Sequence, residues 1–166
     1  MKLINDFLAV AIGISELKEN DLVIVQEGQK SVNSDAAIIG AGTGLGAAHL
    51  VWEDNHYHPY TSEAGHTGFA PENTLQSELL IWMQQQYSHV SLEMLLSGKG
   101  LVTIYEFLHE IKGINESLQV KEAMKVNNPA QVITEYALAD TDELCQQALA
   151  CFIDIYGAAA GNVALY

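Results

Sequence analysis

The sequence predicts an α/β fold in which a short β-meander is followed by helices. One observation is a series of strand-length apolar segments joined by short polar turns, over residues 22–25, 36–39, 46–53 and 56–61, a pattern typical of an antiparallel meander. Another is the change to helical spacing of apolar residues after Pro71. The third is size, because 166 residues that are 49% hydrophobic can bury one sizeable core. We therefore expect a single domain.

A short helical pattern begins close to the N-terminus, over residues 7–14. Leu3 and Ile4 precede it and look like the end of a strand, which places Asn5 and Asp6 at a strand-to-helix junction. Asn and Asp commonly cap helices at such places. Alternatively, Asp6 lies at the C-terminal edge of the strand and points into a cleft as a general base.

Several helices are predicted after Pro71. Asn73 and Gln76 form a plausible capping box at the start of one of them. A further helix is predicted near residue 91, where Glu93 in the first turn complements the helix dipole, and Gly98 and Gly100 are expected to break it. The remaining helices are predicted over residues 101–111, over residues 129–138, and after a capping box of Asp140 and Glu143.

The composition is strongly acidic, with 21 Asp and Glu, seven Lys and no Arg, and a net charge of −14. Such a surface repels nucleic acid and anionic membranes, so we expect neither as a partner. No segment approaches the ~20 apolar residues of a membrane span, and the N-terminus lacks the features of a signal peptide. Without Arg, a bound phosphate would be neutralised by backbone N–H groups, Lys or Mg²⁺.

Cys145 and Cys151 lie in one helical pattern and form no C-x-x-C pair. This spacing argues against a disulfide framework or a zinc knuckle and favours core thiols in a reducing compartment. We therefore expect a cytoplasmic protein. Residues 158–161 form a small-residue surface suited to close packing on a neighbour, and a homodimer is one such arrangement.

The most informative motif is Gly40-Ala41-Gly42-Thr43-Gly44-Leu45-Gly46. Glycine at alternate positions removes the Cβ atoms that would hold a ligand away from the backbone. Successive N–H groups in such a turn form a concave anion site, to which the Thr43 hydroxyl adds a donor. A glycine-rich hairpin without a ligand is the alternative.

Three phosphate-binding motifs compete for this stretch. A Walker loop is excluded because its Gly-Lys-Ser/Thr ending is missing. Gly42-x-Gly44-x-x-Ala47 matches the dinucleotide fingerprint, which would indicate a nicotinamide oxidoreductase. That fingerprint must open a helix, whereas residues 48–52 have the pattern of a strand. A strand–glycine turn–strand that closes over a nucleotide phosphate fits best.

Glu63 and His66 lie three residues apart in a loop punctuated by Gly65 and Gly68. The glycines argue against a helical Glu-x-x-His metal pair. A solvated side chain is the default for a loop histidine, and the pairing with Glu63 makes a small polar ligand a serious alternative.

Four motifs in order resemble those of the bacterial glucokinase family, ATP-dependent hexose kinases of the actin-like, ribonuclease-H-like superfamily. They are Ile4-Asn5-Asp6-Phe7, the glycine motif, Glu63-Ala64-Gly65-His66, and Glu93 in His89-Val90-Ser91-Leu92-Glu93-x-x-Leu96-Ser97-Gly98. The resemblance runs over essentially the whole chain and corresponds to the middle of the family's usual chain.

The resemblance implies an incomplete ribonuclease-H-like (actin-like ATPase/hexokinase) large domain over residues 1–166. The small-domain sheet expected before it and the adenosine segment expected after it are absent. It implies transfer of the ATP γ-phosphate to the 6-hydroxyl of glucose with Mg²⁺, the first step of glycolysis. The chain by itself is expected to be inactive.

The resemblance also assigns site residues. Asp6 would be the general base, and Asn5, Asp6, Glu63, His66 and Glu93 would bind glucose. Gly42, Thr43 and Gly44 would bind the ATP phosphates, and no residue is assigned as a metal ligand.

Two alternatives lie outside the kinase class. One is a non-catalytic sugar-binding or regulatory module derived from this fold. The other is a glycoside hydrolase that uses a carboxylate pair, a chemistry in which the glycine turn has no purpose.

Overall fold

The computed structural model describes residues 6–29, 31 and 33–165. A first helix, α1 (Asp6–Gly13), precedes three strands, β1 (Ala36–Ala41), β2 (Leu45–Glu53) and β3 (His56–Ser62). The helices that follow are α2 (Thr74–Gln84), α3 (Gly98–Glu110), α4 (Leu118–Val126), α5 (Pro129–Leu138) and α6 (Glu143–Val163). Short 3₁₀ turns cover Ile14–Glu16, Glu19–Asp21, Ala64–His66 and Leu92–Met94. This order confirms the predicted α/β fold of a meander followed by helices.

The three strands form one antiparallel sheet in the order β1-β2-β3. The glycine turn joins β1 to β2, with Ala41 opposite Leu45. At the other end of β2, Asp54 and Asn55 have φ of 51° and 62°, as a two-residue hairpin turn requires. The meander is therefore confirmed for these three strands.

The predicted strand over residues 22–25 is wrong. Val23 and Val25 are 89% and 96% exposed, and the segment pairs with no strand of the described chain. Strand preference reflects packing and pairing with neighbours more than the backbone preference of the residues. These apolar residues lack such neighbours, so their composition alone does not produce a strand.

The two faces of the sheet are covered by different helices. On one face, Ala11 of α1 packs with Ala48 and Leu50 of β2. On the other face, Ile39 of β1 packs against the main core, and its carbonyl accepts a hydrogen bond of 3.0 Å from the Tyr156 hydroxyl of α6. Successive side chains of a strand point to opposite faces, which allows both helices to pack on the same strands.

Helices α3, α5 and α6 pack against one another around the main core. Its fully buried side chains include Ile104, Phe107, Leu108, Ile133, Leu144 and Ile155. Cys145 and Cys151 are buried and form no disulfide, as core thiols are expected to be. Burial and nearby carboxylates raise the pKa of these thiols to about 12 and about 11. None of the helices in the described residues has the length and apolar character needed to cross a membrane.

The ends of three helices test the predicted capping residues. Asn73 caps α2 as predicted, because its side-chain oxygen accepts from the Gln76 N–H at 2.9 Å. The helix predicted near residue 91 is only the 3₁₀ turn Leu92–Met94 and ends before Gly98. Gly98 and Gly100 do not separate two helices as predicted but lie in the first turn of α3, where Ser97 is the cap and accepts from the Gly100 N–H at 3.1 Å. The cap of α6 is Asp142, two residues after the predicted Asp140.

Candidate active site

The glycine turn is a tight hairpin whose tip is Gly42-Thr43-Gly44. The Gly42 N–H donates to the Gly44 carbonyl at 2.8 Å. Residues 45–53 then form β2 and not a helix. A dinucleotide fingerprint would have to open a helix here, so the nicotinamide oxidoreductase hypothesis is wrong.

Glu93 anchors the end of this turn. Its Oε2 accepts a hydrogen bond of 3.0 Å from the backbone N–H of Leu45, the first residue of β2. Gly44 leaves space for the carboxylate, because a Cβ at that position would overlap Oε2. The residue pattern suggested a helix-dipole role for Glu93, and the family resemblance suggested a glucose-binding role. The structure places its carboxylate against a turn 48 residues away.

Backbone contacts bring the Glu63–His66 loop to Glu93. The Leu92 N–H donates to the Thr67 carbonyl at 2.9 Å, and the His89 ring contacts the His66 carbonyl at 3.0 Å through Nε2. These bonds hold the loop beside the 3₁₀ turn that carries Glu93. The sequence alone could not supply this pairing, because it depends on segments more than twenty residues apart.

His66 lies between the two carboxylates. Its Nε2 is 3.7 Å from Oε2 of Glu63, and its Nδ1 is 3.8 Å from Oε1 of Glu93. Both separations exceed those of ordinary hydrogen bonds. The side chains of His66 and Glu63 are 61% and 88% exposed. The three groups therefore have free hydrogen-bonding capacity and are open to a polar ligand.

A polar cavity of about 300 Å³ lies beside these groups. Its walls include Glu63, Glu93, the glycine turn and Phe7. Asp6 directly precedes Phe7 and is the first residue of α1. Asn5 lies outside the described residues.

A second cavity of about 800 Å³ lies across the turn and shares Gly42 and Thr43 with the first. Lys99, Asn128 and Gln131 also line it. The Gly98 N–H donates to the Gly42 carbonyl at 3.0 Å, which attaches the N-terminus of α3 to the turn.

Lys99 was missed by the sequence analysis because Gly98 and Gly100 were interpreted as a helix break. The signal was in Ser97-Gly98-Lys99-Gly100: Ser is a typical helix cap, and glycines that lead into a helix N-terminus are typical of anion-binding sites. Burial, and then the nearby Glu110, raise the pKa of Glu106 in the same cavity wall. Its carboxyl consequently carries charge less readily than an exposed glutamate does.

Metal ligands are not preassembled in this region. Within the part of the chain that the structure describes, no group of three or more His, Cys, Asp or Glu residues could hold a metal ion. The site instead offers backbone N–H groups and a lysine on one side of the turn, and carboxylates and an imidazole on the other.

The sequence model of the glucokinase family matches residues 1–166. The chain belongs to the glucokinase family. A glucokinase of a Nostoc species is 41% identical over 178 residues, covering 99% of this chain and 52% of that protein. The Cronobacter sakazakii glucokinase is 37% identical over 166 residues, covering 99% and 49%. The chain thus spans about half the length of the curated relatives it matches.

Solved structures agree with this membership. A glucokinase from an Antarctic psychrotroph superimposes with a TM-score of 0.81 at 35% identity, over 98% of this chain and 48% of that one. A Balamuthia mandrillaris glucokinase in complex with glucose gives a TM-score of 0.66 at 18% identity, over 82% and 38%. At 18% identity, the match to the Balamuthia mandrillaris protein supports the fold alone. The resemblance to glucokinases and the incomplete α/β fold are therefore confirmed.

Proposed function

We propose that the full-length protein is a glucokinase that transfers the γ-phosphate of ATP to the 6-hydroxyl of glucose. The observation that carries this proposal is that one glycine turn lines two cavities. The Glu63 and Glu93 carboxylates line one cavity, and Lys99 lines the other together with Glu106, whose pKa is raised. This arrangement suits a sugar and a nucleotide that meet across the turn, because phosphoryl transfer depends mainly on positioning and charge stabilisation.

Glu63, His66 and Glu93 are proposed to bind glucose hydroxyls. A neutral polyol suits carboxylate acceptors and an imidazole, which fix the directions of its hydrogen bonds. Asn5 and Asp6 complete this set by resemblance to the family. The site spans segments that are distant in sequence, so its geometry depends on the bonds between the Glu63–His66 loop and residues 89–92.

Asp6 is proposed as the general base. The sugar hydroxyl gives its proton to the Asp6 carboxylate, and O6 forms a bond to the γ-phosphorus. The bond between the γ-phosphorus and the β–γ bridging oxygen breaks, and ADP leaves. The location of Asp6 at the start of α1, next to cavity-lining Phe7, supports this role.

The phosphates are proposed to lie against Gly42, Thr43 and Gly44. The Gly42 N–H is already bonded to the Gly44 carbonyl, so the N–H groups of Thr43 and Gly44 and the Thr43 hydroxyl are the suitable donors for them. We add Lys99 to this set because it lines the cavity on the nucleotide side. Mg²⁺ bound with the nucleotide supplies further charge neutralisation.

The cytoplasm and a homodimer are also part of the proposal. Two buried thiols without a disulfide fit a reducing compartment. Within the small-residue segment 158–161, Ala159 is buried in the core of the chain itself. Gly161 has nothing within 4 Å of the place where a Cβ would lie, so a second copy could approach there. Light scattering of the full-length protein tests this association.

The proposed activity is tested with the full-length protein, glucose and Mg²⁺-ATP. We expect ATP-dependent formation of glucose 6-phosphate and measurable glucose binding by calorimetry. Glucose binding that is indifferent to nucleotide, without turnover, would instead support the non-catalytic sugar-binding module. Absence of both binding and turnover would overturn the proposal.

A further inference from the structure

The Glu93 carboxylate faces two different parts of the site. Oε2 accepts from the Leu45 N–H at 3.0 Å, at the point where the glycine turn becomes β2. Oε1 lies 3.8 Å from Nδ1 of His66, on the sugar side. Oε2 is therefore bonded to the backbone of the turn, and Oε1 remains available to a ligand.

The Glu93 carboxylate packs closely against the backbone of the turn at Gly44. A Cβ at Gly44 would overlap Oε2 of Glu93. The φ angle of Gly44 lies outside the left-handed region, where glycine is specially favoured. A side chain at position 44 would therefore displace the Glu93 carboxylate, whereas the backbone conformation itself does not demand glycine.

The other end of the turn is held by the same short segment of chain. Five residues after Glu93, the Gly98 N–H donates to the Gly42 carbonyl at 3.0 Å. Residues 93–98 thus fasten the turn on both sides of Thr43. A displacement of this segment would move the N–H groups proposed to bind phosphate.

We infer that Glu93 is a positioning residue for the phosphate-binding turn as well as a sugar ligand, and that it couples sugar binding to nucleotide binding. This inference rests on the proposed function. A carboxylate has enough acceptor sites to serve both partners at once. Sugar hydroxyls on Oε1 would restrict rotation of the carboxylate and strengthen the anchor at Leu45. By linkage, each ligand would then raise the affinity for the other by the same factor.

The test measures ADP binding to the full-length protein by calorimetry without sugar. Glu93→Ala should weaken ADP binding about tenfold, near the lower end of the value of a hydrogen bond to a charged group. Glu93→Gln keeps an oxygen that can accept from Leu45, so ADP affinity should stay within about twofold of the wild type. Both variants should bind glucose more weakly.

Glu63→Gln is the matched control. Glu63 faces His66 at 3.7 Å and makes no described contact with the backbone of the turn, so this variant should lose glucose affinity alone. At saturating glucose, Glu93→Ala should raise the KM for ATP, whereas Glu63→Gln should not. Gly44→Ala tests the same link from the turn, even if Glu93→Ala does not fold. Gly44 is itself proposed to contact phosphate, so the discriminating result is a fall in glucose affinity, which displacement of the Glu93 carboxylate would cause.

Unchanged ADP affinity in Glu93→Ala and Gly44→Ala, with glucose binding reduced, would overturn the inference. Equal loss of ADP affinity in Glu93→Gln and Glu93→Ala would also overturn it, because the retained oxygen should rescue the anchor. Failure of the wild type to bind ADP or glucose would instead overturn the proposed function.

Discussion

The phenyl ring of Phe7 lies against the bare backbone of Gly46, where a Cβ would overlap the ring. This contact joins the first turn of α1 to β2, two residues after the glycine turn ends. Asp6 immediately precedes Phe7, so the contact lies next to the backbone of the proposed general base. The glycine motif therefore has a packing role at Gly46 that is separate from phosphate binding.

Gly46→Ala should destabilise the chain by about 1–3 kcal/mol, because an added methyl must displace a packed aromatic ring. Denaturant unfolding measures this change. Gly13→Ala is the matched control, since nothing lies within 4 Å of its added methyl, and it should be neutral or stabilising by up to about 1 kcal/mol. Equal free energies of unfolding for Gly46→Ala and the wild type would show that the contact between Phe7 and Gly46 does not stabilise the fold.

The sheet could be predicted from the sequence because its signals are local. Alternating glycines and the Asp54-Asn55 pair mark the two turns, and the strands between them are defined by those turns. The segment 22–25 has an equally strong apolar signal but lacks a neighbouring strand in the described chain. Propensity alone could not distinguish these cases, since strands are stabilised by their neighbours.

The sequence predicts which residues belong to the candidate site but not how they are arranged in space. Glu63, His66 and Glu93 could be selected from motifs, but their approach depends on bonds between the two loops. Lys99 was missed because glycine at a helix start and glycine at a helix break have the same local pattern. The Ser97 cap distinguishes them, since its side chain accepts from the Gly100 N–H.

Asp142 should make the stability of the chain depend on pH. Burial by itself would raise the pKa of this carboxyl, but hydrogen bonds from the Cys145 N–H and from Ser117 outweigh it and lower the pKa. A lowered pKa in the folded state stabilises the protein above the unfolded-state value of about 4. That contribution is lost as the pH falls through the folded-state pKa.

Asp142→Ala should therefore cost about 0.5–2 kcal/mol at pH 7, the usual value of a helix N-cap. Asp142→Asn keeps the capping oxygen but does not titrate, so it separates the cap from the charge. The stability difference between wild type and Asp142→Asn should shrink between pH 5 and pH 2, measured by urea unfolding at each pH. A constant difference across that range would contradict the role of the charge.

Gly42→Ala should separate folding from nucleotide binding. Nothing lies within 4 Å of the place where its Cβ would lie, so the free energy of unfolding should change by no more than about 0.5 kcal/mol. If phosphate approaches the backbone here, the added methyl should hold it away from the neighbouring donors and weaken ADP binding about tenfold or more, since losing one charge-assisted hydrogen bond has that effect. Gly28→Ala, another glycine with open space, should leave ADP binding unchanged. Unaltered ADP affinity in Gly42→Ala would remove Gly42 from the phosphate site.

Asp6→Asn tests the chemistry itself in the full-length protein. Asparagine is close in size to aspartate but accepts no proton, so kcat should fall by about 10²–10⁴, the usual contribution of a general base. ADP affinity should be unchanged, because the proposed phosphate donors lie in the glycine turn and at Lys99. Asp54→Asn is the control at the opposite end of β2, where Asn suits the positive φ of 51°. Its turnover should equal that of the wild type. Normal turnover in Asp6→Asn would show that another group takes the proton. Loss of both ADP binding and turnover would instead indicate that the start of α1 holds the glycine turn in place.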